Sequence, residues 1–140
     1  MGVMVDTNVL VHFERSGDSF DWSHWGHAER GSVSVVTVSE LLVGVHRANT
    51  EARRQSRSLF VESVIARFEV LDFTLDCARL HSEISAELTK TGRMIGAHDL
   101  LIAATARLHD LPILTDNVNE FSRVPGLRPI PHAAFRSSSG

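Results

Sequence analysis

The 140 residues carry a formal charge of −3, with 43% hydrophobic and 22% charged side chains, an ordinary globular balance at a length suited to one core. A single cysteine, Cys77, excludes an internal disulfide, a cysteine zinc cluster and a redox pair, and no apolar run approaches the ~18 residues of a membrane-spanning helix. The start lacks a basic stretch followed by an apolar signal core, and Asp6 stands where a lipidation motif needs Ser or Thr, so the chain is expected to be cytoplasmic, with no membrane contact.

In chain order, Val3 to Val5 predicts a short buried strand and Thr7 to Glu14 a helix. Phe20-Asp21-Trp22-Ser23-His24-Trp25 spaces two tryptophans three apart, for core packing or for an exposed aromatic contact. His24 and His27 have helical spacing, but a zinc site usually needs three or four ligands, and the pair is read as incidental. The β-branched run Ser32 to Val36 predicts a second strand, followed by a helix from Val38 to Arg47. Thr50 to Phe68 predicts a long amphipathic helix with Leu59, Phe60, Val64, Ile65 and Phe68 inward. Arg47, Arg53, Arg54 and Arg57 are read as a solvated face, or as a local basic patch for a polyanion, which a chain of this net charge would need.

Glu69 to Asp72 predicts a third strand, and Thr74 to Thr91 a helix closed by Gly92. Ala97 to His109 predicts a helix with Leu101, Ile102, Ala104, Thr105 and Leu108 inward. Pro112 to Thr115 and Leu127 to Ile130 predict the last two strands. Short apolar strands alternating with helices point to an α/β sandwich around a mostly parallel sheet. Residues 1–136 are read as one domain, and Ser137-Ser138-Ser139-Gly140 as a flexible tail.

Ligands of an open α/β sheet bind outside the carboxyl ends of its strands, which gives weight to acids placed there. Asp6 follows the first strand and Asp116 the strand ending at Thr115, while Glu40 and Asp99 fall near the starts of helices. Each has a structural explanation taken singly. Thr37-Val38-Ser39-Glu40 fits a capping box with Glu40 reaching back to the Thr37 amide, Asp99 suits a helix dipole, and Asp116 suits an Asx turn. Several carboxylates converging in one pocket would repel and raise their own pKa values, a conflict that a divalent cation relieves. Magnesium takes one or two carboxylates directly and keeps waters and phosphate oxygens, which suits phosphodiester hydrolysis.

The segments Val5-Asp6-Thr7-Asn8-Val9-Leu10, Thr37-Val38-Ser39-Glu40-Leu41 with Gly44, Ile95 to Ala104, and Ile113 to Phe121 follow one another in a specific order. In that order the chain resembles the PIN-domain ribonucleases, and among them the VapC toxins of type II toxin-antitoxin systems. The resemblance implies a three-layer α/β/α sandwich with a mostly parallel central sheet of four or five short strands. It implies a Mg²⁺- or Mn²⁺-dependent endoribonuclease that leaves a 5′-phosphate. Asp6, Glu40 and Asp99 fall on the family's most regular acidic positions, with Asp6 and Asp99 as metal ligands and Glu40 orienting water. The late loop of the family often reads T-x-N-x-x-D/E-F. Asp116 is taken as the fourth acid of the site, with Asn117 as its substitute, and Thr7, Asn8 and Thr115 as groups that hold the carboxylates. The resemblance further implies RNA as substrate, a homodimer, and a cognate antitoxin that covers the acidic cleft and carries the DNA contact of the pair. His98, beside Asp99, is a candidate contact for substrate or antitoxin, and the arginine group a candidate for the RNA backbone.

Two other acid-bearing α/β classes fit poorly. A receiver domain needs a lysine at a late strand end, whereas Lys90, the only lysine, lies near the end of a helix; a haloacid-dehalogenase-type phosphatase needs D-x-D, and Asp6 is followed by Thr7 and Asn8. The remaining alternative is a PIN fold kept as a binding scaffold without turnover, against which stands the retention of all three acids.

Overall fold

Alternation along very short strands decides which side of the sheet each helix covers. The structure, a computed structural model, describes residues 2–16 and 31–132; Trp22, Trp25, His24, His27 and the 137–140 tail lie outside them. In β1 (Val3–Val5), Met4 joins one core while Val3 and Val5 join the other, and in β4 (Ile113–Thr115) Ile113 and Leu114 divide in the same way.

Between and after these strands run α1 (Thr7–Ser16), β2 (Gly31–Ser34), α2 (Val35–His46), α3 (Glu51–Arg67), β3 (Glu69–Leu71), α4 (Leu75–Thr91), α5 (Ala97–Leu108), α6 (Val118–Phe121) and β5 (Pro129–Pro131). The sheet order is β3-β2-β1-β4-β5, and every pairing is parallel. One face packs against Ile84 and Leu88 of α4, the small residues Ala103, Ala104 and Ala106 of α5, and Phe121 of α6. The opposite face packs against Val9 and Leu10 of α1, Leu41 and Val45 of α2, and Val61 and Val64 of α3. Helices on both faces of a parallel sheet make the expected three-layer α/β/α sandwich, with five strands. No helix among the described residues is long and apolar enough to cross a membrane.

Several boundaries differ from the sequence reading. The second strand stops at Ser34, whose hydroxyl accepts from the Val36 amide at 3.0 Å and starts α2 three residues early. Ser34, not Thr37, is therefore the cap, and the expected Thr37–Glu40 capping box does not form. Glu40 lies in the second turn of α2, one turn further in than the reading placed it. In α3 the buried stripe runs through Val61 and Val64, leaving Ile65 partly exposed and Leu59 72% exposed rather than inward. In α5 Leu108 is likewise exposed, and Leu100 and Ala103 take inward places. The short helix α6 had no counterpart in the sequence reading. Gly92 closes α4 in the left-handed conformation, φ +68°, as its position after the last periodic residue predicts.

Candidate active site

The chain leaves β1 for β2 and β3 on one side and reaches β4 on the other, so the carboxyl ends of β1 and β4 flank the switch in strand order where such sheets open a crevice. Asp6 follows β1 there and is only 3% exposed. Its carboxylate accepts from the Thr115 hydroxyl and from the Thr7 amide, each at 2.8 Å. The Thr115 oxygen also accepts from the Asn117 amide at 2.8 Å, which leaves its single proton for Asp6.

Glu40 arrives from α2. One of its oxygens accepts from the Thr7 hydroxyl at 2.7 Å, and the other lies 3.4 Å from His98 Nδ1. Since the Thr7 proton is committed to Glu40, the 3.0 Å contact between the Thr7 and Thr37 hydroxyls has Thr37 as donor. Thr7 thus binds Asp6 through its amide and Glu40 through its side chain, tying two acids to the first turn of α1.

Asp99 is half-buried in the first turn of α5. Glu120 of α6 stands beside it, accepting from the Gly96 amide at 3.1 Å and from the Asn117 side-chain amide. Burial pushes Asp6 up to about 6, with the charges of Asp99 and Glu40 adding to it and the bonds from Thr115 and Thr7 opposing it. Burial also pushes Asp99 up to about 6, reinforced by the charges of Glu120 and Glu40 and by a hydrogen bond with Glu120. Asp6, Glu40 and Asp99, up to 93 residues apart in the chain, line one cleft of about 660 Å³ together with Thr7, Asn8, His12, Arg15 and Asn117.

Asp116 is not among them. The chain bends at Asp116, so that while Thr115 bonds Asp6 and Asn117 lines the cleft, the Asp116 carboxylate bonds His132 Nδ1 at 3.1 Å. Asn8, expected to hold a carboxylate, instead accepts from the Asp116 amide at 3.4 Å. The acid that accompanies Asp99 is Glu120, which sequence reasoning passed over although it fills the D/E place of the T-x-N-x-x-D/E-F pattern. The arginine group is largely engaged within the protein: Arg53 bonds Asn49, Arg54 bonds Glu51 and the Ala48 carbonyl, and Arg57 bonds the Gly44 carbonyl.

The donor set fits a hard divalent cation. Among the described residues no three His, Cys, Asp or Glu side chains are grouped so as to hold a metal ion by themselves. Magnesium asks for less, one or two carboxylates with water and phosphate oxygens completing the octahedron, and two acids with pKa values raised partly by neighbouring carboxylates gain most from a nearby positive charge.

The family described as PIN domain matches residues 3–127. Ribonuclease VapC1 of Rickettsia felis is 39% identical over 128 residues, covering 91% of this chain and 93% of that protein. The tRNA(fMet)-specific endonuclease VapC of Shigella flexneri is 38% identical over 126 residues, covering 89% and 93%. The crystal structure of VapBC2 from Rickettsia felis bound to a promoter DNA fragment superposes with a TM-score of 0.84 at 25% identity, covering 94% of this chain and 98% of that one. The chain belongs to the VapC family of PIN-domain proteins.

Proposed function

We propose that this protein is the toxin of a toxin-antitoxin pair and acts as a Mg²⁺- or Mn²⁺-dependent endoribonuclease hydrolysing RNA phosphodiester bonds. One observation carries the reading: Asp6, Glu40 and Asp99, from three separate segments, line one cleft at the strand ends, and Asp6 and Asp99 are raised partly by neighbouring carboxylates. The ribonuclease and tRNA(fMet)-specific endonuclease names of the relatives at 39% and 38% identity support it.

Asp6 and Asp99 would hold the metal. When bound, the ion supplies positive charge at the scissile phosphate and makes water a stronger nucleophile near neutral pH. Glu40, fixed by Thr7, is placed to accept a proton from the attacking water and to orient it. Thr115 and the Thr7 amide hold the Asp6 carboxylate in one rotamer, so its ligand geometry is set before substrate arrives. Glu120 serves as the fourth acid in place of Asp116, raising the negative potential at Asp99.

The partner of this reading is an antitoxin, through which the pair would contact DNA; the similar VapBC2 of Rickettsia felis is bound to a promoter DNA fragment. A second groove of about 110 Å³, lined by Val11, Leu41, Phe60 and Val61, shares Glu40 and Arg15 with the acidic cleft. A chain seated in that groove reaches Glu40 directly. Assembly as a homodimer is part of the same reading, and sedimentation of the purified protein tests it.

The deciding experiment is RNA cleavage with Mg²⁺, with Mn²⁺ and with chelator, using Asp6→Asn and Asp99→Asn as controls. Cleavage with 5′-phosphate ends that disappears with chelator and in both variants is expected. Equal cleavage by all three proteins would mark a contaminant, and inactivity under every metal would favour the scaffold. The tRNA(fMet) specificity named for the Shigella flexneri relative makes that tRNA the first substrate to assay, alongside cut-site mapping in total RNA.

A further inference from the structure

The cleft continues well past the acids. Asn8, Val11, His12 and Arg15, spaced three and four apart, present one face of α1 to it. At ~1.5 Å of rise per residue, Arg15 lies ~12 Å along the helix from Thr7, more room than a scissile phosphate alone fills. Among the described residues no carboxylate lies within ion-pair distance of the Arg15 guanidinium.

The His12 ring beside it is held from behind. His132, 1% exposed, meets it edge to face at a ring separation of 5.1 Å, and Phe13 packs beside His132, its ring 5.6 Å from His12 and 5.3 Å from His132. His132 in turn bonds the Asp116 carboxylate, and the Asp116 amide bonds Asn8 one turn before His12. A polar pair half inside the protein is an expensive way to pack two elements, because an apolar side chain of similar volume avoids the desolvation. What the pair adds is a fixed place for the His12 ring.

We infer that this face of α1 is a subsite for a nucleotide one step beyond the pair that flanks the cleaved bond. The Arg15 guanidinium takes its phosphate and the His12 ring stacks on its base, the combination by which clefts hold single-stranded RNA. Asp116 and His132 are positioning residues for that ring. The inference rests on the hydrolytic reading of the acids for the identity of its ligand.

Steady-state cleavage of two RNAs tests it: an oligoribonucleotide carrying the mapped cut site, and the dinucleotide that spans only the scissile bond. His12→Ala and Arg15→Ala are each expected to raise KM for the longer RNA about tenfold or more, with the loss in KM rather than kcat. That loss exceeds the loss on the dinucleotide by a similar factor. His12→Phe, which keeps a ring, recovers most of it. Asp116→Ala reproduces the His12→Ala defect and adds nothing in the double variant; Asp116→Asn serves if the alanine variant melts too low to assay.

Equal losses on both RNAs, or an unchanged KM in both alanine variants, overturn the inference. Binding of a fluorescein-labelled oligoribonucleotide of mixed sequence, measured in an Asp99→Asn background, decides it separately from turnover. There, a weaker Kd on removing His12 or Arg15 upholds the subsite even if the wild-type protein proves inactive, and an unchanged Kd sinks it. Variants that bind RNA normally but lose a co-expressed antitoxin assign the face to that partner, which also overturns the inference.

Discussion

A threonine hydroxyl has one proton to give and lone pairs to receive, and Thr115 uses both within the cleft. It donates to Asp6 and accepts from Asn117, so it joins the loop that carries Asn117 to the acid that follows β1. Asp6 itself illustrates the tension in such a site. Its native pKa of about 6 exceeds the ~3.9 of an unfolded chain, so the native state binds the proton more tightly. The stability this provides is complete below about pH 4 and is lost as the pH rises through about 6. Asp6→Asn should therefore stabilise the metal-free protein at pH 7.5 by about 3 kcal/mol and change little at pH 4. Thermal melts of both proteins at the two pH values check this; an equal shift at both would show that the ionised carboxylate is not the source. That Asp6 was legible in the sequence follows from the same physics, because a charge directly after a buried β-branched run needs a reason. Glu120 was less legible: it belongs to a four-residue helix too short to show any period, and its approach to Asp99 is set by tertiary structure.

At the scale of elements, the start of α2 determines where Glu40 points. Val35, Val36 and Val38 have β-branched side chains that favour a strand, yet Ser34 caps the first turn of α2 and the helix takes them over. Local preference pointed one way and the cap, combined with burial of Thr37 and Leu41, decided the other. Ser34→Ala is expected to cost about 1 kcal/mol, roughly 4 °C in Tm, measured by calorimetry. An unchanged Tm would mean that packing alone starts the helix. In α3 the error was of a different kind. Two apolar stripes can be drawn on that helix, and only the sheet it packs on selects Val61 and Val64 over Leu59 and Ile65.

For the whole molecule, alternating strands and helices announced the layered architecture, but nothing in the chain announced that β4 would lie beside β1. That adjacency brings Thr115 to Asp6 across 109 positions of sequence. It also makes the cleft a meeting place of acids carried by different elements, whose repulsion a bound cation would relieve. Mg²⁺ at a hundredfold excess over its Kd should raise stability by about 2.7 kcal/mol, or roughly 10 °C in Tm. Asp99→Asn should remove most of that shift. A shift retained in full by the variant would locate the ion elsewhere.

The central place of β1 has a consequence for biosynthesis. In a growing polypeptide Asp6 is made more than a hundred residues before the strand that completes the crevice and the hydroxyl that steadies the carboxylate. Until β4 has left the ribosome the crevice cannot close around Asp6, so the cleft is completed only late in the making of the chain.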